Sequence, residues 1–190
     1  MPFFTNPTFQ PKRNFRFQVS FSGLGDDLTY MVTSVNKPGF TVGSTAHRFL
    51  NHQFNFPNIV TWDDVNVSFI DAVDPNVGST FYQALLNSGY LNPSTIDRYK
   101  GALTKRATTD SIGLVKIRQL DGGEVLGGSV NSAGTPTQPA IIDEWTLINS
   151  MILSVKFGEG MSYTDDGMVN VAISLKYDYA EYATNQGTIA

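Results

Sequence analysis

The chain has 190 residues, and its 17 acidic side chains outnumber 13 basic ones for a formal net charge of −4. With 41% hydrophobic and 16% charged residues it is no disordered polyelectrolyte, and its length suits one domain, 1–190, with a well-filled core. The absence of cysteine excludes a disulfide framework, an iron–sulfur cluster, a thiolate zinc site and a cysteine nucleophile.

The N-terminus carries no basic region followed by an apolar run, and no stretch of about 20 apolar residues occurs, so neither a secretory signal nor a membrane segment is expected. Residues 1–13 read as an N-terminal arm. Phe15, Phe17, Val19 and Phe21 then alternate with polar residues, the period of a half-buried strand. Gly23 to Asp27 supplies turn chemistry, and Leu28, Tyr30, Val32 and Ser34 resume the alternation, so the first two strands are expected to form a hairpin. Pro38-Gly39 closes the second. Residues 42–58 read as a less regular extended arm, followed by a strand through Val65, Val67 and Phe69.

Asp74-Pro75 offers a cap and a first-turn proline, and Phe81, Ala84 and Leu85 follow helical spacing, which predicts a helix over about 76–88 ending at Gly89. Residues 92–111 are polar with mixed charge. A strand follows over 112–120, and then an insertion, 126–141, rich in Gly, Ser, Thr and Pro. Two last strands, 144–157 and 169–179, flank the turn signal Asp165-Asp166-Gly167. The fold class is therefore mainly β: an antiparallel barrel or sandwich of about six to seven strands with one flanking α-helix.

No motif points to chemistry. His47 and His52 are five residues apart and would face opposite sides of one strand, so no shared metal site is expected. The adjacent carboxylates Asp26-Asp27, Asp63-Asp64, Asp143-Glu144 and Asp165-Asp166 diverge or lie in turns, whereas acid–base catalysis needs them to converge. The glycine-rich 122–128 stretch lacks the lysine and the following helix of a phosphate loop and reads as a hairpin turn. Neither an enzyme activity nor a cofactor is expected. Six basic residues between 95 and 120, among them Arg98, Lys100, Lys105 and Arg106, face two acidic ones and mark a partner-contact segment, for protein in preference to nucleic acid. The heavier signal is the load of 13 Phe, 8 Tyr and 2 Trp. Phe3, Phe4, Phe9, Phe40, Phe49, Phe54 and Phe56 lie in irregular segments, which reads either as an ordinary aromatic-rich core or, the sharper expectation, as extended arms that carry anchors into a neighbouring subunit; His47 and His52 are expected to share such contacts.

Four stretches, in this order, resemble the tail tube proteins of contractile-tailed bacteriophages, which are related in fold to the inner-tube proteins of other contractile injection systems. They are the opening strand Phe15 to Phe21; Val35 to Phe40 with the arm through His52 and Phe56-Pro57; Trp62 to Asp71 leading into the helix; and Glu144 to Ile152 with the closing strand ending Lys176-Tyr177-Asp178-Tyr179. The similarity spans about 14–180, and 126–141 departs from it as an insertion. The resemblance implies a homo-oligomer: hexameric rings stacked into a hollow inner tail tube through which DNA passes without specific contacts into the host cell. Its implied partners are a contractile sheath, baseplate and tail-terminator proteins, and a tape measure protein in the lumen. Its implied location is the virion tail, after assembly in the host cytoplasm. An acidic subunit fits such a bore, since like charge repels phosphate. The alternatives are a tube initiator or terminator of the same fold, and a secreted ring-forming carrier of an injection system.

Overall fold

The computed structural model describes residues 11–92, 102–121, 141–158, 160–164, 166–184 and 187–189. Eleven strands and two α-helices lie within them: β1 Phe17–Phe21, β2 Val32–Val35, β3 Phe40–Phe49, β4 His52–Trp62, β5 Val65–Ile70, α1 Val77–Asn87, α2 Lys105–Ile112, β6 Val115–Leu120, β7 Ile141–Ile148, β8 Met151–Lys156, β9 Asn170–Lys176, β10 Tyr179–Thr184 and β11 Gly187–Ile189. All pairings are antiparallel. The strands form a five-stranded sheet in the order β1-β6-β7-β10-β11, a four-stranded sheet in the order β2-β5-β9-β8, and the separate two-stranded hairpin β3-β4.

The inward positions of both sheets fill one core. Val19 and Phe21 of β1, Val115 and Ile117 of β6 and Leu147 of β7 meet Val65, Val67 and Phe69 of β5 and Val171, Ile173 and Leu175 of β9. Each such side chain, fully withdrawn from water, contributes about 1.5–3 kcal/mol. Phe69 joins the layers, with its ring 5.9 Å from Phe21 and 5.2 Å from Phe81 of α1. The mainly antiparallel β class read from the sequence is the one observed, with more elements than expected.

The differences have local causes. Residues 26–30 form a 3-10 turn, and β1 pairs with β6 while β2 pairs with β5, so the first two strands are no hairpin but enter different sheets. Gly23 explains the divergence: its amide donates to the Ile112 carbonyl at 2.8 Å, and a Cβ on it would lie 2.6 Å from that backbone, so the end of β1 is committed to the end of α2. The single strand expected over 144–157 is two, turned at Asn149, whose φ of 55° an asparagine tolerates. The strand expected over 169–179 breaks at Tyr177-Asp178, and its end crosses to the other sheet as β10.

Helix α1 lies where the spacing of Phe81 and Ala84 places it, but its cap is Asn76 rather than Asp74; the Asn76 Oδ1 accepts from the Ser79 amide at 2.6 Å. Asp71, ahead of the helix, accepts from the Val77 and Gly78 amides at 3.1 and 3.3 Å. Helix α2, within a stretch read only as polar, is capped by Thr104 and closed by Gly113, whose φ of 70° suits glycine. The insertion boundary moves by one residue, because Ile141 belongs to β7; residues 122–140 lie outside the described residues.

Candidate self-assembly interface

The arm at 42–58 is the middle of the β3–β4 hairpin, which begins at Phe40 and ends at Trp62. Strands of 10 and 11 residues, at about 3.3 Å each, reach some 30 Å from the core. Every residue from Ser44 to Thr61 is exposed. A two-stranded ribbon bearing so much unburied apolar surface is marginal in water by itself. The hairpin is fastened at its root, where the Phe40 and Trp62 rings lie 5.4 Å apart and Trp62 reaches the buried Tyr177 at 5.9 Å. Burial pushes the Tyr177 hydroxyl up to about 12, with Asp63 and Asp64 adding to it.

The register decides which side chains share a face. His47 stands opposite Phe54, Phe49 opposite His52, and Thr45 opposite Phe56. Side chains alternate along each strand, so Phe49, Phe54, Phe56, His47 and His52 lie on one face, while Ala46, Arg48, Gln53 and Asn55 take the other. This corrects the expectation for the histidines. The turn at Leu50-Asn51 puts them on opposite strands, and an odd separation across a two-residue turn puts them on the same face. Among the described residues no group of three or more His, Cys, Asp or Glu is placed to hold a metal ion.

Phe54 and Phe56 are 52% and 57% exposed, and Leu50 at the tip is 86% exposed. Leu50 also has a φ of 52°, a left-handed conformation that costs a branched side chain about 1–3 kcal/mol. Sequence reasoning missed Leu50, Ile59 and Val60, all exposed on this ribbon. The signal was present: from residue 40 to residue 62 the chain has no carboxylate and one arginine, in a molecule that is acidic overall.

Other expected contact residues are placed differently. Phe3, Phe4 and Phe9, with Arg98 and Lys100, lie outside the described residues. Lys105 and Arg106 open α2; Lys105 Nζ donates to Asp178 Oδ2 at 2.6 Å, and Arg106 pairs with Asp110 at 3.6 Å. The Lys105 hydrogen bond, with one from Asn149, holds the Asp178 carboxyl below its usual value. The root of the N-terminal arm is anchored too. Lys12 donates to the buried Asp143, which Lys37, just ahead of the hairpin, approaches at 3.6 Å. That hydrogen bond raises the Lys12 ammonium above its ordinary value, against a smaller opposing effect of burial. Asp143 thus ties the roots of both expected arms to β7.

Each sheet also ends in strands with an open side among the described residues: β1 and β11 in one, β2 and β8 in the other. Such edges are templates for pairing with another chain.

No protein-family model and no curated protein sequence matches the chain. Solved structures do. A chain in the sheath–tube complex of the extracellular contractile injection system PVC, in its extended state, superposes with a TM-score of 0.58 at 16% identity, covering 92% of each chain. A chain in the PVC sheath/tube terminator gives 0.60 at 15% identity, covering 93% of this chain and 99% of that one. A chain in the tube-terminating cap of the anti-feeding prophage gives 0.59 at 18% identity over 93% of each. The fold is therefore that of tube and terminator proteins of contractile injection systems, as the resemblance in sequence implied.

Proposed function

We propose that the chain is a structural subunit of a tail-type tube: copies close into hexameric rings, and rings stack into the hollow inner tube of a phage tail through which DNA passes. The observation that carries this reading is the hairpin, exposed from Ser44 to Thr61 with its aromatic rings on one face and a strained leucine at its tip. A lone subunit has no use for that surface, whereas an assembly buries it. The open sheet edges supply a second kind of contact, head to tail, so that a ring and a stack both have surfaces to draw on. The fold shared with chains of sheath–tube and terminator complexes agrees with it. On this reading the partners are a contractile sheath, baseplate and terminator proteins and a tape measure protein; the site is the virion tail, after assembly in the host cytoplasm. The role is structural rather than enzymatic, and the 126–140 insertion and the N-terminal arm are appendages of one tube domain.

A second reading, an end-piece of the tube, draws on the likeness to the terminator and cap chains. Copy number in purified particles separates the two, because a tube subunit is present in many rings and an end-piece in one. Negative-stain microscopy of the concentrated protein tests the main proposal. Rings or tubes are expected; monomers at every concentration would overturn it.

A further inference from the structure

We propose that residues 11–13 form a detachable strap over one end of β6 and β7, and that Lys37 takes over the buried Asp143 carboxylate when the strap lifts. The proposal concerns the subunit itself and stands apart from the reading of the hairpin as an assembly element.

Gln119 and Asp143 are register partners on β6 and β7. They are 5% and 2% exposed, whereas the other inward positions of these strands, Val115, Ile117, Trp145 and Leu147, are apolar. Both side chains reach the segment ahead of β1. Gln119 Nε2 donates to the carbonyls of Arg13 at 2.7 Å and Arg16 at 2.6 Å. Asp143 Oδ2 accepts from Lys12 Nζ and lies 3.5 Å from the Tyr182 hydroxyl. Asp143 Oδ1 has no hydrogen-bond partner among the described residues, and Lys37 Nζ stands 3.6 Å from it.

A buried ion stripped of its last opposite charge is strongly destabilising. One carboxylate needs one such charge, and here two lysines reach it from separate segments. Gln119 has a spare partner too, because the Arg16 carbonyl is also tied to the Leu120 amide at 3.0 Å and stays with the sheet. Residues 11–13 can therefore leave with neither buried group bare: Gln119 keeps Arg16, and Asp143 keeps Lys37. Closing the last gap needs only rotation of the Lys37 side chain, since the backbone on both sides of it is held. The Asn36 amide donates to the Asn66 carbonyl at 3.2 Å, Asn36 Oδ1 accepts from the Asn66 amide at 2.5 Å, and the Gly39 carbonyl accepts from the Asp63 amide at 2.9 Å. The Lys12 and Lys37 side chains are both about half exposed, so either can leave Asp143 for water.

Limited trypsin digestion tests the strap, because cleavage after Lys12 or Arg13 needs this segment free of its seat and tracks the population of the open form. In the unaltered protein the shortened chain, identified by its mass, is expected at urea concentrations too low for global unfolding; cleavage there only with global unfolding would overturn the proposal. Lys37→Met is expected to slow that cleavage at least about fivefold, because opening would then bare the carboxylate. A merely structural role for Lys37 predicts the opposite sign, and unchanged or faster cleavage overturns the takeover. In Asp143→Asn, where no charge needs a partner, Lys37→Met is expected to change nothing; slowing that persists there would show that the carboxylate is not the link. Acetylation of Lys37 gives a second readout should Asp143→Asn fail to fold. In Lys12→Met its rate is expected to fall at least about fivefold as the charge-assisted hydrogen bond closes, and an unchanged rate overturns the proposal.

Discussion

Glu144 shows how single residues on the outer face of the five-stranded sheet are organised. Its carboxylate accepts from Lys116 Nζ at 2.8 Å and Arg118 Nε at 2.6 Å, across the β6–β7 ladder. Burial by itself would raise this carboxyl, but the two hydrogen bonds and the two cations outweigh it and hold it below the ordinary range. A folded-state value below the unfolded one of about 4.3 means that Glu144 contributes stability above that pH, and that the contribution is lost as pH falls through the lower folded value. Glu144→Gln is expected to cost about 1 kcal/mol at pH 7, and the difference from the unaltered protein is expected to shrink as pH falls below about 4, followed by urea denaturation across the acid range. A difference independent of pH would show that the charge is not what stabilises. Tyr177 is the contrasting case: its buried hydroxyl finds no hydrogen-bond partner among the described residues, so it serves the hairpin root through its ring.

At the scale of elements, the proposed assembly through the hairpin would be separable from folding. Phe54 and Phe56 make no part of the buried core, so Phe54→Asp or Phe56→Asp is expected to leave thermal stability at low concentration within about 0.5 kcal/mol. Either substitution puts a carboxylate on the aromatic face and is expected to abolish polymerisation, read by sedimentation or microscopy; intact tubes from either would refute the arm's role. Elements with a strong local period were legible. The helix around Phe81 and the strands through Val19, Val67 and Ile173 follow from alternation or helical spacing that burial then matched. Helix α2 was not legible, because in Lys105–Ile112 only Ile112 is buried and its start depends on the Thr104 side chain accepting from the Ala107 amide at 3.2 Å. The segment read as an extended arm over 42–58 lies within a hairpin, which its local pattern did not show. Its turn, Leu50-Asn51, carries none of the glycine that marks a tight reversal.

For the whole molecule, the described residues leave two sheets with open edges and an exposed ribbon. Anything that binds the folded form alone raises apparent stability by mass action. The melting temperature is therefore expected to rise with protein concentration in the unaltered protein and to stay flat in Phe54→Asp; scanning calorimetry over a wide concentration range checks this, and parallel behaviour of the two would contradict assembly through the hairpin. What the sequence determined by itself was the class of fold, the inward residues of most strands, and the load of aromatic rings in a segment outside the alternating strands, because alternation and composition are local properties of the chain. Tertiary structure alone decided that β1 and β2 part into different sheets and that both histidines share a face with Phe49, Phe54 and Phe56. Those facts depend on pairing between residues tens of positions apart, and a two-residue period is the same whichever partner a strand finds.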